Sequence, residues 1–178
     1  HFNQGTNAAW LGVEWVNQPH RADEILTLTS ELAERQITTI YVYTSYYKPE
    51  GGFNPAYAYA KEFVAAMQSF APDLVVQAWI GLPLETMNLN SRAVQREVVD
   101  FCVMLMQDAG FDGLHIDPEP VEDGDKSVLV LLDELREALE PEAVLSIAGR
   151  RIWPLFPTIR WPFVGQWSWS TSYYQKVA

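Results

Sequence analysis

Three ionisable side chains recur at every second position of one segment: His115, Asp117 and Glu119 in Gly113-Leu114-His115-Ile116-Asp117-Pro118-Glu119. Successive side chains of a strand point to opposite faces, so these three share a face with Gly113, and Leu114 and Ile116 share the other. Ionisable groups in a row on one face of a buried strand are costly unless that face lines a site. Pro118 and Pro120 lack a backbone donor, so sheet pairing should stop near Glu119. Glu119 then stands at the carboxyl end of the strand, where parallel α/β folds place their active sites. Two residues along a strand separate Cα atoms by ~6.6 Å at ~3.3 Å per residue, close enough for two carboxyls to share a proton. A charged Asp117 disfavours ionisation of Glu119. The pair suits glycosidic cleavage, with Glu119 as the general acid that protonates the leaving oxygen and Asp117 as its partner carboxylate.

The elements that must position this strand follow from the rest of the pattern. Trp10 to Val16 reads as the first strand, Ile37 to Tyr43 as the second, Leu74 to Ile80 as the third and Phe111 to Asp117 as the fourth. Ala143 to Ala148 reads as the fifth and Phe163 to Trp169 as the sixth. Between them, His20 to Gln36, Pro55 to Phe70, Ser91 to Ala109 and Lys126 to Glu140 carry apolar residues at helical spacing. Gly110 is placed to cap the third of these helices. Residues 149–162 contain three prolines and predict an irregular crossover or a very short helix. Strand and helix in alternation mean a parallel sheet with right-handed crossovers. Six strands in 178 residues, against the ~250 of a full (β/α)8 barrel, predict an α/β chain of the TIM type that is incomplete. It is read as an N-terminal tail over residues 1–9 and one barrel-like domain over 10–178 lacking its last two units. An open doubly wound sheet is the alternative, but no Gly-x-Gly-x-x-Gly follows any strand.

In a barrel the outward strand residues pack under helices and the polar or small ones face the lumen. That places Tyr43 on strand two, Gln77 and Trp79 on strand three, His115, Asp117 and Glu119 on strand four, and Arg150 just past strand five on the inside. Glu14 shares a face of strand one with Trp10 and Gly12. On strand six, polarity favours Gln166 inside, whereas a sugar platform would want Trp167 or Trp169 there. Carboxylates beside flat rings and amides are what a sugar site needs, since rings cover the apolar faces of a pyranose and polar groups read its hydroxyls. Any of these rings taken singly would equally be core.

The fourth strand resembles the signature of glycoside hydrolase family 18, the chitinase-like enzymes, which carry Asp-Gly-x-Asp-x-Asp-x-Glu on the fourth strand of a (β/α)8 barrel. Asp112, Gly113, Asp117 and Glu119 match it; His115 replaces the middle Asp, and Pro118 stands where those enzymes often have Trp. The resemblance implies a glycoside-hydrolase-like barrel with Glu119 as acid and Asp117 as the residue that orients a substrate 2-acetamido group. The family's sixth strand usually carries Met-x-Tyr-Asp; here the chain reads Gln166-Trp167-Ser168-Trp169.

Composition narrows the partners. The chain is 48% hydrophobic and 20% charged, a globular balance. A formal net charge of −11 disfavours nucleic acid and anionic membrane and fits a neutral or cationic partner. No window reaches the ~18 apolar residues of a membrane span. The expected partner is an oligo- or polysaccharide, with another protein chain completing or covering the barrel as a further possibility. A chain that starts at His1 without Met is one whose leader has been removed or whose ends have been trimmed, and an extracellular or periplasmic setting is favoured. The single cysteine, Cys102, sits mid-helix and reads as a buried structural thiol. No metal or cofactor is required by this reading. Two other classes compete. One is a catalytically inactive barrel that binds glycan or serves as a structural subunit. The other is a metal-dependent hydrolase ligated by His115 and Asp117, although three ligands are needed and His1 and His20 lie in the tail and at a helix start.

Overall fold

A computed structural model describes residues 7–149, 151–152, 160–161, 165–166 and 168–177. Its centre is one parallel sheet of five strands in the order β1-β2-β3-β4-β5. These are β1 (Asn7–Leu11), β2 (Ile37–Tyr46), β3 (Val75–Pro83), β4 (Gly113–Glu119) and β5 (Val144–Ile147). Chain order and spatial order coincide, as in one arc of a barrel wall. The connecting helices are α1 (Glu14–Asn17) and α2 (Ala22–Glu34), then α3 (Ala60–Phe70), α4 (Arg92–Ala109) and α5 (Lys126–Ala138). Among the described residues no helix is long and apolar enough to cross a membrane.

The outward faces behave as the alternation predicts. Ile40, Val42, Val76, Ala78, Ile80, Leu114 and Ile116 are fully buried, which at ~25 cal/mol per Å² of apolar surface is the main force holding helices to the sheet. Helix ends follow local chemistry. Gly110 ends α4 in the left-handed conformation, φ 78°, and its N–H donates to the Met106 carbonyl at 3.0 Å. The Asp125 carboxylate caps α5 by accepting from the Ser127 N–H at 2.8 Å. Cys102 lies on the buried face of α4, and desolvation alone pushes its thiol up to about 12.

Two expectations need correction. The first strand begins at Asn7 and ends at Leu11. Beyond Gly12 the backbone turns helical, with Val13 at φ −63°, ψ −23°, and the Val16 and Asn17 N–H groups donate back to the Val13 carbonyl. The turn buries Val16 completely and stacks Trp15 on His20 at 4.6 Å, contacts that a continued strand would forfeit. Glu14 therefore sits on α1, exposed to solvent, and shares no strand face with Trp10.

The sixth strand also differs. Of its expected span, residues 163–164 and Trp167 fall outside the described set, and the described parts do not extend the five-stranded sheet. β6 (Arg151–Ile152) pairs in parallel with β9 (Ser168–Trp169), and β7 (Arg160–Trp161) pairs antiparallel with β8 (Gly165–Gln166). A closing helix, α6 (Thr171–Val177), follows. Trp169 is core and no platform: it is 1% exposed, meets Tyr173 edge to face, and its indole N–H donates to the Val121 carbonyl at 3.3 Å. Tyr173 in turn donates its hydroxyl to the Asp125 carbonyl at 2.8 Å, so the last helix is pinned to the segment that leaves β4.

Candidate active site

The carboxyl ends of β2, β3 and β4 open into a cleft of about 580 Å³. Tyr43, Tyr46, Trp79, Glu85, Asp117 and Glu119 line it, with Gly81 and Pro83 among the backbone positions beneath. Each arrives by register: Tyr43 lies opposite Trp79, Trp79 opposite His115, Gly81 opposite Asp117 and Pro83 opposite Glu119. Pairing runs to Glu119 and stops, in keeping with the two prolines.

Tyr46 escaped the sequence reading. Strict alternation would send it away from Tyr43, but the β2–β3 register shifts between Tyr43 and Ser45, so both rings end on the cleft side. Gly81 makes the space for them. A Cβ there would lie 3.2 Å from the Tyr46 Cβ and 3.6 Å from the Tyr43 hydroxyl oxygen. Glu85 was missed too, because it belongs to the segment after β3. The Leu84 N–H donates to the Glu119 carbonyl at 2.8 Å and draws that segment over the end of β4.

Asp117 is half-buried and held: the Trp79 indole N–H donates to its Oδ2 at 2.8 Å. Trp79 meets Tyr43 edge to face at 4.8 Å. Burial, then Tyr46 and Asp117, raise the Tyr43 phenol, which therefore stays a proton-bearing donor. Glu119 is exposed at the rim. Asp112, the first carboxylate of the signature, is structural. Its Oδ2 accepts the Val76 N–H at 2.8 Å and ties the start of β4 to β3.

Beneath the cleft lies a polar floor. Gln77 and His115 are only 2% and 4% exposed. Ser146 on β5 donates its hydroxyl to the Gln77 side-chain oxygen at 2.7 Å, and the His115 Nδ1–H donates to the same hydroxyl at 2.9 Å. That leaves Nε2 as a buried acceptor with no hydrogen-bond partner among the described residues. Tyr41 stacks on the imidazole at 4.0 Å, and Trp10, 58% exposed, leans on Tyr41 at 4.9 Å. Desolvation lowers His115 to about 4, against the raising influence of Asp117. The ring is neutral at physiological pH, a different electrostatic object from a carboxylate.

Of the residues singled out from sequence, the structure gathers Tyr43, Trp79, Asp117 and Glu119 around one cleft and sets His115 and Gln77 just below it. Glu14 is not among the cleft-lining residues. Gln166 lies on β8, outside the five-stranded sheet, and Arg150 and Trp167 lie outside the described residues. Among the described residues no three His, Cys, Asp or Glu side chains gather as a metal-binding group.

The His115 shift has a measurable consequence. Its folded value, about 4, lies below the ordinary 6.5, so between those limits the unfolded chain binds more protons and stability rises with pH. Melting temperature should climb from pH 4 to 6.5 and then lose this contribution to its slope. His115→Gln should flatten that part of the profile; an unchanged profile would mean that another group sets it.

No protein-family model and no curated protein sequence matches the chain. Solved structures do. A family 18 chitinase from Cycas revoluta aligns with 89% of this chain at 17% identity and a TM-score of 0.63. A chitinase from Bacteroides thetaiotaomicron aligns with 82% at 16% identity and 0.58. The chitinase domain of the spore coat protein CotE from Clostridium difficile aligns with 80% at 13% identity and 0.57. The chain spans about half the length of these structures, 49%, 47% and 41% respectively. The expected architecture therefore stands: over the described residues this chain has the α/β fold of the family 18 chitinase barrels, and it corresponds to about half of their length.

Proposed function

We propose that the chain is a glycoside-hydrolase-like protein that acts on or binds a polysaccharide, with Glu119 as general acid and Asp117 as its partner carboxylate. The observation that carries this reading is one cleft in which two carboxylates at the end of β4 stand beside Tyr43, Tyr46 and Trp79. The Cycas revoluta chitinase has been captured with (GlcNAc)4, and a class V chitinase from tobacco with NAG4, which supports an oligosaccharide ligand for a cleft on the same fold. In the reaction Glu119, exposed at the rim, gives its proton to the glycosidic oxygen. Asp117, fixed by Trp79, turns its carboxyl toward the sugar that becomes positive. The test is release of reducing ends from chitin-type and glucan oligosaccharides, with and without chelator. Cleavage that survives chelation supports the assignment, whereas cleavage abolished by chelation points to the metal-dependent class.

A second reading, a barrel that binds glycan without cleaving it, draws on His115. The matching position in the signature is an Asp, and here a neutral ring with an unpaired Nε2 takes its place. Binding without cleavage in the same assay would select it.

Trp79 separates two roles within either reading. Trp79→Ala removes a half-exposed ring and should weaken oligosaccharide binding by about tenfold, in line with ~1–1.5 kcal/mol for an aromatic contact, with little change in melting temperature. Trp79→Phe keeps a ring but deletes the donor to Asp117. It should leave most of the binding and lower turnover by about tenfold or more, since a hydrogen bond to a charged group contributes ~1.5–3 kcal/mol. A loss of stability on the order of 3–5 kcal/mol in Trp79→Ala would make this ring part of the core instead.

A further inference from the structure

We propose that Tyr47 and Glu97 are positioning residues: they set the place of the Tyr46 ring in the cleft, and with it the cleft's affinity. The inference rests on the glycan reading for what Tyr46 would touch. How Tyr46 is held rests on hydrogen bonds and ring contacts alone. Tyr46 lines the cleft, and Tyr47 and Glu97 are not among the lining residues.

The end of β2 runs on into a hairpin over residues 45–54. Tyr47 bridges Phe53 in antiparallel fashion, the Lys48 N–H donates to the Gly52 carbonyl at 2.8 Å, and the Asn54 N–H donates to the Tyr46 carbonyl at 3.0 Å. Gly51 and Gly52, at φ 93° and 74°, let the chain reverse where a side chain would be strained. The Ser45 hydroxyl donates to the Asn54 carbonyl at 2.6 Å and closes the base. Successive residues of an extended segment face opposite ways. Tyr46 therefore turns into the cleft and Tyr47 turns outward, toward α4.

On that outer side the hairpin is attached to α4 twice. Tyr47, 6% exposed, meets Phe53 edge to face at 5.3 Å, and Phe53 stacks on Phe101 at 3.8 Å with the rings 7° apart. The Tyr47 hydroxyl donates to Glu97 Oε2 at 2.7 Å. Glu97 and Phe101 are four residues apart, and so lie on one face of α4. The two attachments differ in kind. Burial and stacking hold the hairpin down, but burial is non-directional and lets rings slide. A hydrogen bond to a carboxylate is short and directional, and fixes where the Tyr47 ring ends. Tyr46 must follow its neighbour, because the backbone on either side of it is tied: the Tyr47 N–H donates to the Gly81 carbonyl at 3.0 Å, and the Tyr46 carbonyl accepts from Asn54. A helix surface outside the cleft thus governs one of the cleft's rings.

The experiment is calorimetric titration of the whole chain with β-1,4-linked tetramers of N-acetylglucosamine and glucose, beside fluorine NMR of a label on the Tyr46 ring without ligand. Tyr46→Ala should weaken tetramer binding by about tenfold, the worth of an aromatic contact. Tyr47→Phe and Glu97→Ala should each weaken it by about threefold, and together by no more, since they break one bond. Glu97→Gln keeps an acceptor and should bind within about twofold of the unmodified protein. With Tyr46 already replaced by Ala, Tyr47→Phe should cost no further affinity; a merely structural role would show no such dependence. The label's resonance should shift or broaden in Tyr47→Phe and Glu97→Ala and keep its place in Glu97→Gln. An unmoved resonance in the first two overturns the inference, as does an affinity loss that is the same with and without Tyr46; either leaves the glycan reading standing. Failure of both tetramers to bind overturns the glycan reading, and the label then decides the positioning role alone: a moved resonance sustains it and an unmoved one ends it.

Discussion

Glu119→Gln is expected to lower turnover of a cleavable oligosaccharide by about 10²–10⁴-fold, the usual worth of a general acid, while leaving substrate affinity within a few fold. The substitution preserves shape and removes the transferable proton. The fold should tolerate it well, because Glu119 is exposed and its side chain makes no hydrogen bond or ion pair among the described residues. The Glu119 carbonyl that receives the Leu84 N–H is backbone and is retained. Single-turnover kinetics on saturating substrate give the cleanest measure, since they isolate the chemical step from binding and release. A leaving group that needs no protonation, such as an activated aryl glycoside, should be hurt far less than a natural sugar, and that contrast identifies an acid specifically. Full turnover in Glu119→Gln on the natural sugar would end the catalytic assignment.

The largest structural effect is expected at Gly113. A Cβ there would lie 2.1 Å from the Val144 carbonyl oxygen and 2.8 Å from its carbon, and both atoms are backbone that no rotamer change can move. Gly113→Ala should therefore force β5 away from β4, costing about 1–3 kcal/mol or more in the manner of an overpacked core. The damage would not stop at the edge. Ser146 rides on β5 and bridges Gln77 and His115, so the polar floor loses its link when the strand shifts. A fall in the denaturant midpoint, with a change in near-ultraviolet aromatic signal, is the expected outcome. An unchanged midpoint would mean that β5 is not held against β4 at this spacing.

Much of this architecture is legible in residue order because burial imposes period two on the central strands. Ile40, Val42, Val76, Ala78, Ile80, Leu114 and Ile116 recur at every second position within their strands, and each is fully buried. The candidate site was legible for the same reason in negative: His115, Asp117 and Gln77 break an apolar expectation. What escaped reading depends on contacts that no local pattern announces. The Tyr43–Ser45 register shift is a property of two strands and not of one, so Tyr46 could not be assigned to the cleft. Residues Val13 to Val16 are apolar and aromatic enough for a strand, and their helical turn is decided by the burial of Val16 and by Trp15 stacking on His20. Trp169 carries the same ring as Trp79. Only the partners tell them apart, a backbone carbonyl in the core for one and a cleft carboxylate for the other. Likewise Asp112 and Asp117 belong to one signature, yet the first bonds to backbone and the second faces the cleft.

The thiol inside α4 turns the molecule into its own stopwatch. Cys102 is the chain's one cysteine, completely covered, with its ionisation suppressed to about 12. Alkylating reagents attack the thiolate, so in the closed molecule they meet neither an accessible sulfur nor a reactive one. Modification must wait for α4 to leave the sheet. Mass-detected labelling at a single position then counts openings of the structural centre without any engineered probe. Fraying at the ends of the chain would pass unrecorded, whereas the openings that lift α4 would leave a permanent mark at a rate set by the open population, or by the opening rate itself where alkylation outpaces reclosing.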